Sequence, residues 1–329
     1  MAIGIDSHNE SATAKANNLD VTPVIDRRMP PRRTRVIAKK QRREFGFFLP
    51  VAAMLLALVM TISIMSAFVS LTSDVTAYYT DHLPITIDGD ADFLVGFNGV
   101  TSGTGTEADP YVIWGWNIDT TVPATPGIIV MNTQAHFVID EVWVHGDQNA
   151  DGIELINVRN GSVENSRLDN NSAAFYLQDC FGLDITNVTM MNNPNYGIYS
   201  YASNCWNVTD STLNLNGYGA YVDPAVDSVR FDNCSISWND YGGLYFYNDI
   251  SNVEIVDCEI DHNDYGQGLY VYGESTGLVV RNCSISYTAY DALYLDDSCN
   301  GIELSNNTVI DNGGFGLYVY GGGNIIIAN

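Results

Sequence analysis

"GLYVYG" stands at Gly268–Gly273 and again, unchanged, at Gly316–Gly321, and a near copy, "GGLYFY", fills Gly242–Tyr247. Aligning each small residue that opens such a segment gives Gly127, Gly152, Ala174, Gly197, Gly219, Gly243, Gly268, Ala292 and Gly316. The steps are 25, 22, 23, 22, 24, 25, 24 and 24 residues. A fixed period of this size marks a solenoid. Each unit carries two further apolar anchors, such as Ile255 and Ile260, Val280 and Ile285, or Leu304 and Val309. The segments are short, rich in β-branched and aromatic residues, and separated by Asn, Asp and Gly, which reads as strands and tight turns.

Three short strands per turn predict a parallel β-helix in which coils stack about 4.8 Å apart, so that equivalent residues form columns. One column reads Asn171, Asn193, Asn216, Asn239, Asn263, Thr288 and Asn312. Stacked amides bonding along the axis at a turn account for it. The inward Ile, Leu or Val, the Asn three residues on and the closing "GLY" together resemble the right-handed β-helix of the pectin-lyase-like superfamily, its NosD-like group in particular. "GTGTEADPYVIWGWNID" (Gly103–Asp119) resembles the opening of the helix in archaeal surface proteins of this kind. The resemblance covers about Thr86 to Asn329 and implies an all-β fold. It leaves function open, because the fold hosts lyases, hydrolases, binding modules and inert spikes.

The alternation of "GLYVY" points Leu269 and Val271 inward and Tyr270 and Tyr272 outward. The outward columns are then Tyr176, Tyr199, Tyr221, Tyr245, Tyr270, Tyr294 and Tyr318, beside Tyr201, Asp223, Tyr247, Tyr272, Asp296 and Tyr320. Exposed aromatic rows suit the apolar faces of sugar rings, and neighbouring acids accept hydroxyl hydrogen bonds. Tyr199, Tyr221, Tyr245, Tyr247, Tyr270, Tyr272, Tyr294 and Tyr318 are therefore the candidate carbohydrate-binding residues. The competing reading is that tyrosine favours strands and stacked like residues stabilise the coils.

Catalysis has thinner support. Pectate-lyase-like chemistry needs a basic residue, but beyond residue 46 the sequence holds only Arg159, Arg167, Arg230 and Arg281, none in the tyrosine segments. The acidic and basic motifs of the polygalacturonases are absent. Asp223, Asp296 and Asp297 could supply a carboxylate pair for glycoside hydrolysis. A non-catalytic carbohydrate-binding or adhesive module is the leading reading, ahead of a structural envelope component and of a polysaccharide lyase or hydrolase.

No cofactor is required by this reading. "DQNADG" (Asp147–Gly152) resembles half of a calcium loop, with Asp147, Asn149 and Asp151 as ligands, although Val158 stands where a bidentate acid belongs. Cys234, Cys258 and Cys283 share a column, which suits a soft metal, a disulfide or buried filler, and filler is the commonest habit of free Cys. The sequons at Asn187, Asn233, Asn282 and Asn306 require that column's neighbour to face out if it carries glycans.

Residues 1–46 carry ten Lys and Arg against five acids, whereas the other 283 residues carry four Arg and 34 acids. Such an acidic body repels nucleic acid. Between the two parts, Phe47–Leu71 has no charge in 25 residues, about 37 Å of helix. With a basic arm before it, the segment reads as a single-pass anchor with a cytoplasmic N-terminus and everything beyond exported. A signal cleaved after "VTA" (Val75–Ala77) is the rival. The expected organisation is a basic arm (1–46), a transmembrane helix (47–71), a stem and cap (72–126) and the β-helix (127–329). The expected partners are a polysaccharide or surface glycan, the membrane, and a second strand at the open edge left by "NIIIAN".

Overall fold

The computed structural model describes residues 79–121, 124–146, 148–224, 226–296 and 298–328, and the backbone of Ile3–Ile5. The candidate anchor 47–71 lies outside the described residues. Among those described, no helix is long and apolar enough to cross a membrane.

From Thr80 onward the chain winds as a parallel β-solenoid with three faces. Strands such as Tyr218–Asp223, Gly242–Tyr247 and Leu269–Tyr272 form the first face. The second face holds Asn204–Thr209, Val226–Asp232 and Ile250–Val256. The third is a 10-stranded sheet of short strands such as Ser235–Ser237 and Glu259–Asp261. Each strand pairs in parallel with its counterpart one coil on, for example Tyr245 with Tyr270 and Ile255 with Val280. The segment expected as stem and cap already takes part: Thr80–His82 pairs with Trp116–Asp119, and Ile85–Asp88 with Ile128–Thr133. Among the described strands, only Val100–Ser102 runs antiparallel, against Tyr111–Trp114.

The corners explain the sequence period. A single left-handed residue turns the chain from the second face to the third, as at Asn187, Asn233 and Asn282 (φ 54°, 52° and 55°). Asn tolerates this conformation, which keeps the corner one residue long. The residue after it points inward, and Cys234, Cys258 and Cys283 are buried there as free thiols. Their Sγ–H groups donate to the carbonyls of Asp232 (3.3 Å), Val256 (3.2 Å) and Arg281 (3.3 Å). They fill the interior, and the sequon asparagines face out.

After the third face a second left-handed residue leads into the asparagine column. Asn171, Asn193, Asn216, Asn239 and Asn263 are buried. Asn239 Nδ2 donates to the Leu213 carbonyl of the coil before (2.9 Å) and to Asn263 Oδ1 of the coil after (3.1 Å). Its Oδ1 accepts the Asn216 amide (3.0 Å). The amides thus satisfy one another and the backbone where water is excluded. Thr288 then stands in the column; it joins Asn312 through Oγ1 (2.9 Å) and its amide (3.0 Å). No side-chain hydrogen bond joins it to Asn263 among the described residues.

Alternating residues of all three faces fill the core, with Trp206 fully buried and its ring edge-on to Phe231 (5.6 Å between centroids). Glycine opens the first-face strands because a Cβ at Gly243 would lie 2.4 Å from the Gly268 carbonyl oxygen. At the C-terminal end Gly323–Ala328 pairs with Asn300–Ser305 and leaves Ile326 and Ile327 exposed. On the first face the backbone of Ile3–Ile5 pairs in parallel with Leu317–Val319.

Candidate functional site

Leu244, Phe246, Leu269 and Val271 are buried, and the tyrosines between them face out half-buried. The register places Tyr176, Tyr199, Tyr221, Tyr245, Tyr270, Tyr294 and Tyr318 in one line. Their rings pack face to face. Successive centroids lie 5.5, 5.9, 5.0, 4.3, 5.0 and 4.9 Å apart at 10–25° between planes. Tyr247 and Tyr272 stack in the same way beside them (4.9 Å, 9°).

The residues are brought together as the repeat predicts, but their neighbours cover the ring faces that were to receive sugars. Along most of the face only ring edges and hydroxyls meet solvent. Burial raises the pKa of the phenols at Tyr221 and Tyr245, and pushes that of Tyr270 up to about 12. The phenols are neutral hydrogen-bonding groups at any ordinary pH. Asp223 and Asp296 lie close enough to the phenols of Tyr221 and Tyr270 to disfavour their ionisation.

A third line, Tyr196 and Tyr218, escapes the sequence reading. These rings stack at 5.8 Å and 16°, and Tyr218 also meets Tyr241 at 5.6 Å. The signal was present: each of the three directly precedes a glycine. The line starts at Tyr196 because Ala173 occupies the same position one coil earlier. There a cavity of about 210 Å³ opens, lined by Asp151, Ser172, Ala173, Tyr176, Tyr196 and Tyr199. Glu154 pairs in register with Tyr176, and burial, then the charge of Asp151, raises its pKa. A second cavity, about 310 Å³, lies on the second face above Gly161 and Gly182, lined also by Glu107, His136, Ser162 and Asp184.

The arginines lie elsewhere. Arg159 sits over the Phe181 ring (5.3 Å), Arg167 is paired with Asp169 (2.9 Å), and Arg230 bridges Asp232 (2.9 Å) and Glu254. Arg281 ends the second-face strand Val279–Arg281. The described part of the first face carries no cation. Of the acids considered for hydrolysis, Asp223 and Asp296 are 73 residues apart in the chain and three coils apart in register, and Asp297 lies outside the described residues.

Asp147 also lies outside the described residues. Asp151 Oδ1 accepts the Ala173 amide (2.9 Å), which ties it to the next coil. Among the described residues no group of three or more His, Cys, Asp or Glu is placed to hold a metal ion.

Two family models match the solenoid: "Right handed beta helix region" over residues 201–329, and "Periplasmic copper-binding protein (NosD)" over 106–228. The chain is a right-handed parallel β-helix protein of the NosD-like, pectin-lyase-like kind. Among the described residues no donor set for copper is assembled. The aligned thiols form a line along the axis, each bonded to a carbonyl, instead of surrounding a point. Among solved structures, the A-module of the Azotobacter vinelandii mannuronan C-5 epimerase AlgE6 is similar, with 13% identity and a TM-score of 0.57 over 74% of this chain and 72% of that one. The family 28 exopolygalacturonase of Yersinia enterocolitica shows 13% identity and a TM-score of 0.40 over 65% and 43%. At 13% identity the likeness to the epimerase module shows a shared fold alone. No curated protein matches.

Proposed function

We propose that this β-helix is an exported polysaccharide-binding protein and that the first face is its binding surface. One observation carries the reading. Tyr176 to Tyr318 set a phenol on each of seven successive coils, flanked by Asp223 and Asp296, in a strip where hydroxyl edges meet solvent. A linear glycan laid along that strip meets a repeating row of donors and acceptors. The exported setting follows from the basic arm and the uncharged segment.

A structural role is the second reading, and the ring-on-ring packing favours it: stacked tyrosines cement neighbouring coils whether or not anything binds. Incubating the full-length protein with neutral and acidic polysaccharides, with and without calcium, separates the two. Retention without new chain ends is expected. New chain ends would replace binding with catalysis, and no retention on any polymer would leave the structural role.

A further inference from the structure

We infer that the cavity at Asp151, Tyr176, Tyr196 and Tyr199 is a subsite for a neutral pyranose, and that the first face selects uncharged over uronic polysaccharides. The inference rests on the reading of the first face as a glycan-binding surface and deepens it.

Position comes first. Sugar stacking needs an aromatic face, and the ring columns cover their own faces except at their ends. Both begin at the same place. Tyr176 is the first ring of its line, because Glu154 precedes it in register. Tyr196 is the first of the other, because Ala173 sets a methyl where a ring would stand. The cavity occupies that gap, walled by Tyr176, Tyr196 and Tyr199, with Asp151 and Ser172 at its rim. The Tyr196 and Tyr199 rings meet at 44°, which makes a corner instead of a flat stack. One pyranose ring placed against the open face of Tyr196 puts its hydroxyls within the same cavity as Asp151 and Ser172.

Charge supplies the selectivity. Asp151 and Glu154 lie at this end of the face and Asp223 and Asp296 further along, while every arginine of the described β-helix lies outside it. Carboxylates accept hydrogen bonds from sugar hydroxyls and repel carboxylates. With no guanidinium or ammonium to offset them, a uronate polymer gains nothing here that a neutral one lacks.

The test is calorimetric titration of the full-length protein with neutral gluco- and manno-oligosaccharides and with oligouronates of equal length. Neutral oligomers are expected to bind, and uronates to bind at least roughly tenfold more weakly at low salt. Tyr196→Ala removes the platform. Ala173→Tyr fills the gap with a further ring and keeps the test available should the first variant unfold. Each is expected to weaken neutral binding by roughly tenfold, with Phe181→Ala, an exposed ring on the second face, changing it by less than about twofold. Equal or tighter uronate binding overturns the selectivity. Neutral binding that survives both Tyr196→Ala and Ala173→Tyr moves the subsite elsewhere on the face while leaving polysaccharide binding intact. Failure to bind any polymer removes the proposed function itself.

Discussion

The Tyr270 ring lies 4.3 Å from that of Tyr245 and 12° from parallel, and its other side is covered by Tyr294 at 5.0 Å. A tyrosine stacked on both sides contributes more to the coil stack than to a ligand. Tyr270→Ala is therefore expected to cost about 2 kcal/mol of stability and, by removing one phenol of the row, to weaken affinity for a glycan only about threefold. Urea denaturation beside a binding titration checks both halves.

High pH should loosen the same columns. In the folded protein burial holds the Tyr270 phenol at about 12, against 10.0 for an ordinary tyrosine. The folded state thus keeps a proton that the unfolded state has lost. The stabilisation is complete below pH 10.0 and is lost as pH rises toward 12. Tyr221 and Tyr245 shift in the same direction for the same first cause, burial. Melting temperatures should fall steeply across this window, with tyrosinate absorbance appearing together with unfolding. Phenols that titrate normally while the fold persists would contradict the stacked geometry.

Removing one amide from the buried column tests the interior. Asn239→Ala leaves the Leu213 carbonyl, the Asn216 amide and Asn263 Oδ1 each short of a partner. Unmade bonds of this kind cost about 1–3 kcal/mol apiece before relaxation. A total loss of about 3 kcal/mol is expected. A melting temperature equal to that of the parent chain would show that the amides do not hold the coils.

Thiol reactivity reports the inward column directly. Cys180, Cys234, Cys258, Cys283 and Cys299 are buried, and burial pushes the Cys180 thiol up to about 11; only Cys205 is partly exposed. A thiol reagent should label Cys205 in the native protein and the other five only after unfolding. Mass spectrometry of the labelled peptides reads the order.

The period, the inward hydrophobes and the asparagine column were legible because each coil repeats one local instruction, and stacking turns repetition along the chain into proximity in space. Alternation likewise placed Leu269 and Tyr270 on opposite sides. Ring packing was not legible: nothing in "GLYVY" says whether a phenol lies flat on the surface or edge-on against its neighbour, and the coil spacing settles that in favour of stacking. The cavity was hidden for a related reason. It depends on Ala173 interrupting a line whose other members, Tyr196 and Tyr218, sit outside the alternating motif. The tie made by Asp151 was not legible either, because a turn that resembles an ion loop can equally set a carboxylate oxygen against the next coil's amide.

Thr288 gives the molecule a seam. The coils up to Asn263 are tied to one another by side-chain amides, as are those from Thr288 to Asn312, but at the step between them the column's side-chain bond is missing, and the sheets, the stacked rings and a turn bond from the Ala289 amide to the Asn263 carbonyl (3.1 Å) are left to hold it. Pulled along its axis, such a stack should yield first at that step and release the last coils as one piece, as a perforated strip tears. A single change, Thr288→Asn, would erase the perforation.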